Sequence, residues 1–136
     1  MNRTFLLLLM MIATMQLVAC GQDPTPFVSN DPSRVRAIEG SEFKQVILTE
    51  KAMERIGLET IPVDGLVIPY SAVIYDVEGN VWVYTNPQPL TFVRAPIVID
   101  RIEGDQVFLS QELETDAPIV TVGAAQLYGV ETGVSK

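Results

Sequence analysis

The sequence predicts a mainly β protein: a small β-barrel or β-roll of short antiparallel strands carrying one short helix. Three observations carry this. Short runs of Val, Ile, Leu and aromatic residues recur along the second half of the chain. Turn signals separate them at Asp64-Gly65, Glu78-Gly79-Asn80 and Glu103-Gly104-Asp105. Only one segment, Glu50 to Ile56, has helical spacing of apolar residues with a start and a stop signal.

Taken in order, Lys44 to Leu48 reads as a strand. Thr49 is placed to cap a helix, and Glu50 favours its positive end. Ala52, Met53 and Ile56 share one apolar face, and Gly57 suits a left-handed stop. A helix this short needs a sheet to pack on. Leu58 to Val63 is a further short strand. Leu66 to Tyr75 holds two strand-like stretches around Pro69. Val73-Ile74-Tyr75 and Val81 to Tyr84 form a hairpin across Glu78-Gly79-Asn80. Asn86 to Pro89 reads as a loop, and Leu90 to Ile99 as one long strand in which Pro96 requires an edge or a bulge. Gln106 to Leu109 follows the second hairpin turn. Leu113 to Ala117 turns again, Ile119 to Val122 is the last strand, and Gly123 to Tyr128 closes with a helical turn. There is no heptad run and no internal repeat.

The N-terminus has a different character. Arg3 precedes an apolar run from Phe5 to Val18, about 14 residues, which suits a signal-peptide core; a bilayer-spanning helix needs about 20. The run ends in Leu17-Val18-Ala19-Cys20-Gly21. This pattern resembles the lipobox of bacterial lipoproteins. Small residues flank the cleavage point, and the Cys20 thiol is the nucleophile that takes the diacylglyceryl group. Cys20 is the single cysteine of 136 residues, so no disulfide can form within the chain. One acyl chain holds a protein only marginally, whereas two or three on one cysteine make a lasting anchor. The expected organisation is a lipoprotein signal peptide over 1–19, lipidated Cys20 with a flexible tether over 20–42, and a β domain over 43–136. Pro24, Pro26 and Pro32 among polar residues give the tether its extended character. The expected location is the extracytoplasmic side of a membrane, in the periplasm or at the cell exterior.

Composition narrows the chemistry. The formal net charge is -8, with acids spread along the chain, which argues against nucleic acid and anionic lipid surfaces as partners. There is no histidine, and the cysteine is committed to lipid. The usual zinc, copper and haem ligands are therefore missing, and with them Ser-His-Asp and Cys-His catalysis. Carboxylate chemistry stays open, but with acids so dispersed any chosen pair is arbitrary. Neither phosphate-loop pattern occurs. Calcium at Glu78/Asn80 or Glu103/Asp105 is a weaker reading than solvated hairpin tips, since neither turn has the ligand count of an EF-hand loop. Trp82 and Tyr84 share one strand face, either as one half of a β core or as an aromatic ligand platform. The expectation is no enzyme, no metal and no cofactor.

Two stretches carry a family resemblance. The first is Val46 to Val63, VILTEKAMERIGLETIPV. The second runs from Val67 to Val134 and includes Ile68-Pro69-Tyr70-Ser71-Ala72-Val73, Gly79-Asn80-Val81-Trp82-Val83-Tyr84, Phe92-Val93-Arg94, Ile102-Glu103-Gly104-Asp105-Gln106-Val107 and Ile119 to Leu127. Together they resemble the early strand-helix-strand unit and the C-terminal part of periplasmic adaptor subunits of RND-type efflux pumps, the membrane fusion proteins. In that family a lipoyl-like domain and usually a long helical hairpin separate the two parts. Here only Asp64-Gly65-Leu66 joins them, so the reach toward an outer-membrane channel is missing. The resemblance implies a membrane-proximal β region that works by surface contact with an efflux transporter, with no catalytic or metal residue to carry over. It leaves self-association open. Gly21 rather than Asp after the cysteine implies sorting to the outer membrane in a diderm cell, which sits poorly with docking on an inner-membrane pump; a monoderm cell has no such conflict. A ligand- or metal-binding envelope lipoprotein and a purely structural remnant are the alternatives.

Overall fold

The structure is a computed structural model that describes residues 31–134. The stretch read as a signal peptide, the first part of the stretch read as a tether, and Cys20 lie outside the described residues. Ten strands and two helices make up the rest: β1 (Ser33–Ala37), β2 (Lys44–Leu48), α1 (Glu50–Ile56), β3 (Glu59–Ile61), β4 (Val67–Pro69), β5 (Ile74–Tyr75), β6 (Val81–Gln88), β7 (Thr91–Pro96), β8 (Ile99–Glu103), β9 (Gln106–Leu109), β10 (Ile119–Val122) and α2 (Ala124–Thr132), with a 3-10 turn at Tyr70–Ala72. The protein is mainly β, as expected, and every strand pairing is antiparallel.

The strands form a seven-stranded sheet in the order β1-β2-β7-β6-β10-β3, with β5 also on β6, and a three-stranded sheet in the order β4-β9-β8. The ends of the larger sheet, β1 and β3, do not pair with each other, so among the described residues there is no closed barrel.

Alternation along the strands gives the larger sheet two buried faces. Val46, Leu48, Tyr84, Phe92 and Val120 point to one face and meet Ala52 of α1 and Ala124 and Leu127 of α2. Val83 and Ile119 point to the other and meet Ile68, Val107 and Leu109 of the smaller sheet. The result is three layers: helices, large sheet, small sheet. Of the nine largest fully buried side chains, Tyr84, Phe92, Leu127, Val46 and Val120 serve the first core and Ile68, Ile119, Val83 and Val107 the second. At roughly 1.5–3 kcal/mol per buried large side chain, neither core outweighs the other, and both coverings are needed.

Local signals act as the sequence predicts around α1. The Thr49 side chain accepts from the Ala52 N–H at 3.2 Å, and Gly57 ends the helix in the left-handed region at φ 66°. The hairpin across 76–80 pairs Ile74 with Trp82 and Tyr75 with Val81.

Four expectations are corrected. Ser33–Ala37, inside the stretch read as tether, is strand β1, registered along its whole length on β2. Val35 stands opposite the fully buried Val46, and the Pro32 carbonyl accepts from the Thr49 N–H, which holds the strand's start. The expected single strand from Leu90 to Ile99 is two strands in different sheets: Pro96 stands where its missing N–H faces away from β6, the Ile97 N–H still donates to the Val81 carbonyl at 3.1 Å, and the chain then crosses layers at Ile97-Val98. Asn86-Pro87-Gln88 is not a loop but the bulged end of β6, whose register shifts between Thr85 and Gln88. Finally, the single helix expected is joined by a second, since the turn after Gly123 extends to Thr132.

Candidate functional site

A buried polar cluster lies where α2 crosses the large sheet. Tyr84 on β6 and Arg94 on β7 are cross-strand partners, so both side chains rise on the helix-covered face. Along α2, Ala124, Leu127 and Glu131 share the buried face, which sets the Glu131 carboxylate directly over them. Glu131 accepts from the Tyr84 hydroxyl and is gripped by Arg94 Nε, at 2.9 Å to one oxygen and 3.1 Å to the other. The Arg94 guanidinium lies 5.0 Å from the Trp82 ring centre and 5.6 Å from that of Tyr128, within cation–π range. Phe43 meets Trp82 edge-on at 5.3 Å. Burial first, and then the Glu131 carboxylate, push the Tyr84 phenol far above its usual value. The Tyr84 hydroxyl thus serves here as a donor to the Glu131 carboxylate.

Asp76 extends the cluster at the hairpin turn. Its Oδ1 accepts from the backbone N–H groups of Glu78 and Asn80, and its Oδ2 from Asn80 Nδ2 and the Trp82 indole, both at 2.9 Å. Partial desolvation pushes this carboxyl up, but those donors outweigh it and hold it at about 2. Of the groups weighed for calcium, the Asn80 side chain donates to Asp76, and at the other turn Glu103 pairs with Arg101 at 2.6 Å. Among the described residues no group of three or more His, Cys, Asp or Glu side chains is arranged to hold a metal ion.

Trp82 and Tyr84 belong to the core-half reading of their strand. Tyr84 is fully buried, and Arg94 already stacks on Trp82. Cys20, the one residue singled out for covalent chemistry, lies outside the described residues. Arg94, Glu131 and Tyr128 escape a sequence reading. The signal that marks Glu131 is its place in a helical series of three- and four-residue steps with the apolar positions Ala124 and Leu127.

Shallow concavities of about 400 Å³ open on either side of Trp82, one of them walled by Phe43, Asp76, Arg94 and Tyr128, and two others lie elsewhere. One, of about 600 Å³, lies between α1 and the bulged β6–β7 turn, with Met53, Pro87 and Leu90 among its walls; Leu90 there holds a left-handed φ of 61°, a strained conformation for a side chain of its size. The other, of about 250 Å³, lies on the opposite face of the sheet beneath the 111–115 loop. Elsewhere the surface exposes Tyr70, Tyr75 and, at the tip of the 76–80 turn, Val77, which is 90% exposed. No helix of the described residues is long and apolar enough to cross a membrane.

No protein family, no characterised protein and no solved structure matches this chain.

Proposed function

We propose that this chain is a lipid-anchored, non-enzymatic extracytoplasmic β domain that docks on, or assists the assembly of, an efflux-type transporter, as the membrane-proximal region of an adaptor subunit does. The observation that carries the reading is how the two resembling stretches combine. Val46 to Val63 supplies most of β2, all of α1 and β3; Val67 to Val134 supplies β4 through α2. β2 pairs with β7 and β3 with β10, so the first stretch completes the sheet of the second even though only a short link separates them. The two stacked sheets correspond in this reading to an open roll rather than a barrel. Anchoring through Cys20 keeps the domain at the membrane surface, and Tyr70, Tyr75 and Val77 offer exposed apolar contact area.

Chemical cross-linking in the native membrane followed by purification tests this. The expected result is a covalent complex containing an integral membrane transport component. Recovery of the monomer alone, with cross-linking efficient on a control complex, counts against docking. Metabolic labelling with a fatty acid, lost in Cys20→Ser, tests the anchor separately.

A further inference from the structure

The loop over 111–117 crosses the second face of the large sheet and is tied down at both ends. The Ser110 N–H donates to the Val98 carbonyl at 2.9 Å, and the Asn86 N–H to the Pro118 carbonyl at 2.8 Å. Between these ties Leu113 packs against the second core, and beneath the loop lies the 250 Å³ cavity. Strands β6 and β7 supply its floor. Thr85 and Val93 are cross-strand partners and project to the same side, with Ile97 beside them in the lining. The Thr85 hydroxyl donates to the Val93 carbonyl at 3.0 Å, so its proton is engaged within the protein and the floor suits an apolar guest. Arg94 also borders the cavity. Its guanidinium, however, is held on the far side of the sheet by Glu131, against Trp82 and Tyr128.

Floor and mouth differ in chemistry. Thr85 and Ile97 are only 5% and 7% exposed, whereas Glu112 and Glu114, which also border the cavity, are both exposed. These two carboxylates flank Leu113, and neither makes an ion pair among the described residues. Two acids at the mouth of an apolar cavity attract a cation and repel an anion. The guest must enter with its apolar end first, because a charge on the floor would lose its water without gaining a partner. That disfavours a lysine side chain, whose ammonium would lead. An apolar cavity of about 150 Å³ holds one benzene-sized molecule, and drug-sized pockets begin at roughly 300 Å³. The space here fits a single short chain.

We propose that this cavity binds a short aliphatic amine in its ammonium form. The hydrocarbon end lies among Val93, Ile97 and Leu113, and the ammonium stays at the mouth with Glu112 and Glu114. The acidic mouth selects the charge, and the apolar floor selects the chain. The site is independent of the docking reading, and either can fail without the other.

Hexylamine titrated into the full chain at neutral pH, followed through the methyl NMR signals of Val93, Ile97 and Leu113, tests the site. Saturable shifts of these three are expected, with Met53 and Leu90 at the larger concavity unmoved. Butylamine should bind more weakly by on the order of tenfold for its two missing methylenes. Hexanoate, with the same chain length and the opposite charge, should give no shift at the same concentrations. Replacing both acids, Glu112→Gln together with Glu114→Gln, should weaken hexylamine roughly fivefold, as exposed charge contacts allow, and leave hexanol unchanged. Val93→Phe should abolish binding of hexylamine and hexanol alike; thermal melting checks that it folds, and where it does not, the double glutamine variant decides. No saturable shift of the three methyl signals overturns the proposal. So does hexanoate binding as tightly as hexylamine, and so does indifference of hexylamine to the loss of both glutamates. Equal affinity for Nα-acetyl-lysine amide, which must present its charge first, would transfer the site to a peptide and overturn it as well.

Discussion

Glu131 is the residue on which the α2 contact turns. A carboxylate whose side chain is 3% exposed is tolerated only because Arg94 and Tyr84 both answer it. Removing one partner of such a pair leaves the others buried and uncompensated, which typically costs about 3 kcal/mol or more. Glu131→Ala should therefore lower unfolding stability by about 3 kcal/mol in urea titration, with Glu131→Gln losing less because a neutral amide still accepts from Tyr84. Asp76 makes a different prediction. Its folded value of about 2 lies below the ordinary 3.8, so the folded state favours the ionised form. Its stabilisation is fully present above pH 3.8 and disappears as pH falls through about 2. Trp82, the single tryptophan, donates to this carboxylate and reports on it. Acid titrations followed by indole emission should show a smaller loss of stability across that window in Asp76→Asn than in the native chain.

At the scale of the element, α1 and the entry to α2 differ in how far the sequence reveals them. Thr49, Glu50 and Gly57 specify α1 through groups within a few residues of one another, and the structure forms that helix with those caps. Thr49→Ala should cost about 1 kcal/mol, measured by thermal melting. The break after Pro96 is half legible. The edge position that a proline requires can be read, but the departure of Ile99–Glu103 to a second sheet depends on β9 and β4, the first following it and the second lying far back along the chain. Gly123 shows the same limit. It looks like any turn glycine, yet its φ is 96° and a Cβ placed on it would stand 2.9 Å from Ile56 Cγ2. The end of α1 and the start of α2 thus approach each other too closely there for a side chain. Gly123→Ala should cost about 2 kcal/mol, combining left-handed strain with the shift forced on Ile56. At Gly104, where the same substitution meets nothing within 4 Å, the strain alone remains, and the loss should be smaller.

For the whole molecule, period-two alternation specifies which residues face inward but not which layer each face meets. Val83 and Tyr84 are adjacent, both fully buried, and belong to different cores. Nothing local distinguishes a helix-covered face from a sheet-covered one, so a barrel or roll is the natural reading of strands that are in fact split between two sheets. The same blindness sets the tether's end too late. Arg34 and Arg36 make β1 look like solvated chain, because an edge strand keeps one polar side. What marks it as a strand is Val35 opposite Val46, a pairing that the sequence supplies only once β2 is placed. This yields a test of where the folded unit begins. A chain starting at Phe43 lacks β1 and leaves β2 as the sheet's edge, whereas one starting at Asp31 keeps it. Five registered pairs join β1 to β2, and at roughly 0.2–1 kcal/mol per pair the shorter chain should lose about 2–3 kcal/mol. It should also associate with itself more readily, since Gln45-Val46-Ile47 would present an unpaired edge without the arginines that guard it now. Equal melting temperatures for the two chains, with both monomeric by light scattering, would mean that β1 merely lies along the sheet and that the stable unit starts at Phe43, where the sequence alone places it.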